Sequence, residues 1–167
     1  GNAVLRPFSA APLGAASLQV VQVDLAALRA GLPRTKLDLR LDTDASGTGK
    51  LAIVNHEPGR YDQGKLPIRS LELRISQDGG GFRVDRMSAA LGGAQPAGTL
   101  EGSGKYAGGE LKLDLATAAL DLRRLDGRLR TTRLSGTAAF SDAGGRRELT
   151  LALAQPVARE RLMLAAH

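Results

Sequence analysis

The sequence predicts an all-β fold: a curved antiparallel meander of about ten short strands with one apolar, concave face. Three observations predict it. The dominant hydrophobic period is two rather than 3.6. Glycine is abundant, at 21 of 167 residues, and falls in turn sequences between alternating runs. Aromatic residues are scarce, with no Trp, 2 Tyr and 3 Phe, so Leu, Val and Ala must build the apolar surface.

The elements follow in order. Leu18-Gln19-Val20-Val21-Gln22-Val23 alternates and changes phase midway, and Asp24 to Ala30 suits a turn of helix. Leu37, Leu39 and Leu41 alternate with Asp38, Arg40 and Asp42. After Asp44-Ala45-Ser46-Gly47 the chain resumes with Leu51 and Ile53. Asn55 to Pro67 is a long loop whose Pro58-Gly59 and Asp62-Gln63-Gly64 suit defined turns, an ordered connector that fixes strand register. Leu71, Leu73 and Ile75 alternate with Glu72 and Arg74. Phe82 and Val84 continue the pattern beyond Gly79-Gly80-Gly81, and phase is lost at Arg86-Met87, where a bulge fits. Leu111, Leu113 and Leu115 form the next clear run, and Leu149, Leu151 and Leu153 another. Leu162 and Leu164 extend the same face. Gly92-Gly93, Gly108-Gly109 and Asp142-Ala143-Gly144-Gly145 mark reversals. One stretch dissents: Leu115, Ala118, Ala119, Leu122, Leu125 and Leu129 lie near helical spacing, so a short helix is expected between Thr117 and Leu129.

The two places with helical character match each other. VDLAALRAGLPRTKLDL, residues 23–39, and LDLRRLDGRLRTTRLSG, residues 120–136, share Asp24/Asp121, Leu25/Leu122, Leu28/Leu125, Leu32/Leu129, Thr35/Thr132 and Leu37/Leu134 at an offset of 97. A connector followed by a strand meander, used more than once, suits a body extended along one axis. The whole chain, 1–167, is accordingly expected to be a single segment of a longer repetitive protein, as is a chain that starts without an initiator Met.

Alternation poses a burial problem. About fifteen large aliphatic side chains would share one face, and each costs about 1.5–3 kcal/mol when left in water. Their sum exceeds the roughly 5–15 kcal/mol that stabilises a domain. A second sheet, closure into a barrel, or a curled sheet around an apolar guest would each solve it. A sandwich core usually recruits aromatics. Leu and Val with few aromatics instead suit long, featureless acyl chains.

Catalysis finds little support. The histidines are His56, in a loop, and His167, at the end, and neither has a Ser or Cys partner at recognisable spacing. His56-Glu57 with Asp62 does not make a closed metal set, and Gly79-Gly80-Gly81 lacks the Lys-Ser/Thr and helix of a phosphate loop. Cysteine is absent, excluding disulfides and thiolate metal sites and suiting cytosol or periplasm equally. There is no apolar run near 18 residues. We therefore expect a protein that is not an enzyme, with no cofactor and no metal. Net charge is +6, which alone is weak evidence of a partner. Arg123, Arg124, Arg128, Arg130 and Arg133 form the strongest basic cluster, offset by Asp121 and Asp126. A solvated connector explains it, and so does contact with lipid phosphate headgroups or an acidic partner. Nucleic acid is disfavoured because stacking aromatics are nearly absent.

LAIVNHEPGRYDQGKLPIRSLELRIS, from Leu51, resembles the large TamB-type translocation and assembly proteins of Gram-negative bacteria, in the AsmA-like group. LDLRRLDGRLRTTRLSGTAAFSDAGGRRELTLALAQ, from Leu120, and VDLAALRAGLP, from Val23, fit the same pattern. The resemblance implies a β-taco-like body with an apolar interior, crossing the periplasm in a protein anchored in the inner membrane. It also implies an outer-membrane partner of the Omp85 class, TamA, and a part in phospholipid transport and outer-membrane biogenesis, including protein assembly. In that reading Leu37, Leu39, Leu41, Leu51, Ile53, Leu71, Leu73, Ile75, Phe82, Val84, Leu111, Leu113, Leu115, Leu149, Leu151, Leu153, Leu162 and Leu164 line a groove for phospholipid acyl chains. Arg123, Arg124, Arg128 and Arg130 would meet headgroups or a partner. A rival function is a module that helps outer-membrane β-barrels or autotransporters assemble through strand pairing at an open edge.

Overall fold

Among the described residues ten strands form one antiparallel sheet in sequence order, each hydrogen-bonded to its neighbours in the chain. The structure is a computed structural model that describes residues 2–5 and 13–155. The strands are β1 (Asn2–Leu5), β2 (Leu13–Val23), β3 (Leu37–Thr43), β4 (Gly49–Asn55), β5 (Ile68–Asp78), β6 (Gly81–Gly92), β7 (Pro96–Ala107), β8 (Glu110–Leu120), β9 (Leu134–Ala143) and β10 (Arg146–Ala154). Among the described residues the first and last strands do not pair, so the sheet is open rather than a barrel. The expected all-β meander is what the chain forms. Several strands are not short, however: β6 and β7 run 12 residues each.

Turn chemistry sorts the two ends of the sheet. Gly79-Gly80, Gly108-Gly109 and Gly144-Gly145 are two-residue loops with both φ angles positive. That conformation matches the twist of the flanking strands and is open to glycine without penalty. The β3–β4 turn is closed by Asp44, whose Oδ1 accepts from the N–H of Ser46 at 2.8 Å and of Thr48 at 3.1 Å. Among the described residues every connection at this end is tight. The opposite end carries the connectors 24–36, 56–67, 93–95 and 121–133.

A short helix does lie between Thr117 and Leu129, as expected. Only Leu122–Leu125 is helical, a single turn (α2), and Leu115, Ala118 and Ala119 belong to β8. Strand alternation running into the connector mimicked a 3.6-residue period. Ala119, at φ 52°, sits at the register shift near the end of the strand, and Asp121 caps the turn by accepting from the Arg123 N–H. Leu25–Leu28 (α1) is the matching turn in the first connector, capped by Asp24.

The two connectors share one hydrogen-bond skeleton. Asp24 Oδ1 accepts from the N–H of Ala26 and Thr35, and Thr35 Oγ1 accepts from Leu25 N–H while donating to Val23 O. Asp121 Oδ1 accepts from Arg123 and Thr132, and Thr132 Oγ1 accepts from Leu122 N–H while donating to Leu120 O. The strand residue before each is also alike: Gln22 and Ala119 are the non-glycine residues with positive φ among those described, at 57° and 52°.

No second layer packs on the sheet among the described residues. The buried apolar residues are Leu37, Ala89 and Ala97, and no large side chain is fully buried. Burial instead alternates along the strands. On β8, Leu111, Leu113 and Leu115 are partly sheltered while Lys112, Asp114 and Ala116 are exposed. Even Gly102 and Gly104 on the leucine side of β7 are sheltered, whereas Ala139 on the other side of β9 is exposed. A sheet bent toward its apolar face crowds those side chains together and spreads the others. Register shifts at Val20/Val23, Arg74/Ile75, Val84/Met87 and Thr117/Leu120 supply bends. The one beside Arg86-Met87 falls where the phase of the sequence is lost.

Candidate functional site

Directly paired residues in an antiparallel ladder point to the same side, so the register traces each face across the sheet. One row runs Leu18, Leu41, Leu51, Leu73, Met87, Gly102, Leu115, Ala138 and Leu151. The next runs Val20, Leu39, Ile53, Leu71, Ala89, Leu100, Thr117, Gly136 and Leu153 by the same pairings. A third holds Ile75, Val84, Gly104, Leu113, Phe140 and Leu149, and beside it lie Phe82, Tyr106 and Leu111. Val23 pairs with Leu37 at the connector end. All the proposed groove residues from Leu37 to Leu153 thus share one face. Leu162 and Leu164 lie outside the described residues.

The face is continuous in sidedness but uneven in depth. Leu71, Leu73, Leu111 and Leu113 are half-buried, whereas Leu149 and Leu151 on β10 are 63% and 57% exposed. The β7 strand contributes glycine where β8 contributes leucine. A Cβ on Gly104 would lie 2.6 Å from Leu113 Cδ2, and one on Gly102 would lie 2.7 Å from Leu115 Cδ2. The two leucines lie over the glycines, so missing side chains on β7 are filled by those of β8.

Sequence reasoning missed Leu18, Val20, Met87, Leu91, Leu100, Tyr106 and Phe140 on this face. The phase change at Val20-Val21 and the bulge before Met87 hid some of them. Leu100 and Tyr106 sit in a Gly-rich strand, and Phe140 among small residues, where alternation of large side chains is lost.

The reverse face is polar. It carries Arg40, Lys50, Glu72, Arg74, Arg86, Glu101, Lys112 and Asp114. A depression of about 560 Å³ there is lined by Glu101, Asp114, Ala116, Thr137 and Ala139. It is a gap over small side chains between longer ones.

Charge concentrates on the connector rim. The four connectors hold ten Lys and Arg against five Asp and Glu, a surplus of five in a chain of net +6. They are knitted together. Asn55, buried, donates from Nδ2 to Leu66 O and Ile68 O and accepts from the Glu57 N–H, which shapes connector 56–67. Arg34 N–H donates to Gly64 O at 2.8 Å, and Gly127 N–H donates to Asp62 Oδ1 at 2.9 Å, so this connector is clasped by both repeat connectors. His56 Nε2 lies 2.8 Å from Asp38 Oδ2. The Gln22 N–H and then His56 hold the Asp38 carboxyl below its usual range.

The four arginines proposed for headgroup or partner contact do not act as one cluster. Arg123 and Arg124 line a crevice of about 520 Å³ with Arg60 and Lys65. Arg128 is turned onto Asp126, donating from Nε to Oδ1 at 2.9 Å and from Nη2 to Oδ2. That pairing and the Arg128 N–H lower Asp126 to about 2. Arg130 is exposed and does not line the crevice. Among the described residues no group of three or more metal-ligating side chains converges. Among the described residues no helix is long and apolar enough to cross a membrane. No family model matches the chain, and neither the curated proteins nor the solved structures include a match above chance.

Proposed function

We propose that this chain is a non-catalytic body segment of a TamB-type protein, sheltering phospholipid acyl chains on its apolar face as lipid passes between inner and outer membranes. The single observation that carries this is the apolar face, uncovered among the described residues, that runs from β2 to β10. Each buried CH₂ favours such a face by about 0.8 kcal/mol. Equivalent rows of leucine side by side let a chain slide without returning to water. In this reading the segment stands in the periplasm, within a protein anchored in the inner membrane, and the full-length protein meets an Omp85-class partner, TamA.

Native mass spectrometry of the chain purified from bacterial membranes tests the reading. Phospholipid should be retained by the wild type and by Lys112→Asp, on the reverse face. It should be lost from Leu113→Asp and Leu151→Arg, because an unpaired charge in an apolar groove is costly. Circular dichroism must show each variant folded. Folded trough variants that keep lipid would remove the acyl-chain reading and favour strand pairing at the open edge.

A further inference from the structure

We propose that the crevice on the connector rim is a binding site for a phosphate ester. The proposal stands on the rim's geometry and does not depend on what the apolar face carries. Three separate connectors wall the crevice, and they are fixed to one another. Connectors 56–67 and 93–95 meet backbone to backbone: a Cβ on Gly93 would lie 3.0 Å from Gly59 Cα. Connector 121–133 is joined to the first by Gly127 N–H and Asp62. It is joined to the sheet by Asp121 N–H, which donates to Ala97 O at 2.7 Å, and by Arg124 Nη1, which donates to Pro96 O.

Four cations line this space: Arg60, Lys65, Arg123 and Arg124. Asp121 is the carboxylate on the same wall, and it is already engaged. Its Oδ1 accepts from two backbone N–H groups and its Oδ2 lies 3.2 Å from Arg124 Nε. Lys65 Nζ is only loosely paired, 3.9 Å from Glu57 Oε2, and Arg60 Nε lies 3.4 Å from Asp62 Oδ1. The Arg123 side chain makes no hydrogen bond or ion pair among the described residues. Positive charge therefore exceeds what the protein neutralises. Guanidinium forks match phosphate oxygens in pairs, and a walled cleft sets their geometry in advance. The volume, about 520 Å³, admits a phosphate with its ester substituent.

The source of the ester is a lipid headgroup or a soluble phosphate, and one experiment separates them. Backbone-amide NMR would follow titration with inorganic phosphate and with glycerol 3-phosphate. Sedimentation would follow binding to vesicles of phosphatidylglycerol or of phosphatidylcholine. Shifts should gather at residues 59–65, 93–95 and 121–124. Arg123→Gln removes a side chain that holds nothing in place, so it should fold normally and weaken phosphate binding about tenfold, as one lost charge-assisted contact does. Arg130→Gln, an equal loss of charge on the same connector, should change binding less than about twofold. Binding to phosphatidylglycerol vesicles that Arg123→Gln reduces and Arg130→Gln does not identifies a headgroup. Phosphate binding with no vesicle binding identifies a soluble ester. Shifts spread evenly over the basic surface, equal losses in both variants, or no phosphate binding would overturn the site.

Discussion

Connectors 24–36 and 121–133 are one backbone design carrying two different loads. The Asp and Thr that organise each, the helical turn and the left-handed residue before it coincide at the 97-residue offset. The side chains between them diverge. Where the first has Ala27, Arg29, Ala30 and Gly31, the second has Arg124, Asp126, Gly127 and Arg128. Those four positions place Arg124 on Pro96 O, pair Asp126 with Arg128, and bring Gly127 against Asp62. The first connector touches 56–67 through the Arg34 backbone. A skeleton held by hydrogen bonds between Asp and Thr side chains and the main chain can thus be reused while its outer positions are assigned to other work.

The comparison can be broken most severely at the organising carboxylates. Asp121→Ala strands two backbone N–H groups and releases Arg124, and should cost about 2 kcal/mol by urea denaturation. Asp24→Ala strands the equivalent pair without a bound arginine and should cost about 1 kcal/mol. If the two costs are equal, Arg124 adds nothing to its connector.

A smaller effect is expected at the clasp. A Cβ on Gly127 would lie 2.5 Å from Arg60 Nη1 and 2.8 Å from Asp62 Oδ2. Gly127→Ala should cost about 1 kcal/mol, whereas the equivalent Ala30→Gly should stay within about 0.5. Acid distinguishes the copies too. Asp126 is lowered from 3.8 to about 2 in the folded state, so its pairing is fully stabilising above the ordinary value and is lost as pH falls through that lower one. Melting temperature should therefore fall more steeply in that window for the wild type than for Asp126→Asn.

The smallest effect should be the same in both copies. Gln22→Gly and Ala119→Gly relieve a left-handed side chain and should each stabilise the sheet by about 0.5–1 kcal/mol. A gain in only one copy would show that the shared backbone is held for different reasons.

What the sequence made legible follows the same division. Strands β3, β4, β5, β8 and β10 announce themselves because large apolar residues fall on every second position. Strand β7 does not, since Gly98, Gly102 and Gly104 occupy its apolar side and rely on the leucines of β8. The repeat was visible as Asp, Leu and Thr at fixed spacing. Its hydrogen bonds were not, because they run from side chains to main chain. The crevice was hidden for a spatial reason: Arg60 and Arg123 belong to connectors that only the folded rim brings together. Arg128 looked equivalent to Arg123 in sequence, each two residues past an Asp, but Asp121 is taken by backbone N–H groups and Arg124 whereas Asp126 takes Arg128.

The glycine pairs at the tight rim bear on how the chain reaches this state. Each of these three hairpins closes through two residues that already favour the required reversal, and each described strand needs only the strand before it. Sequence separation between contacts stays small, a topology that folds quickly for a β protein. Strands can then join one at a time, in the order in which a chain emerges from a ribosome or a narrow channel. At every stage the growing edge is a complete template for the next strand, so assembly need not wait for the far terminus.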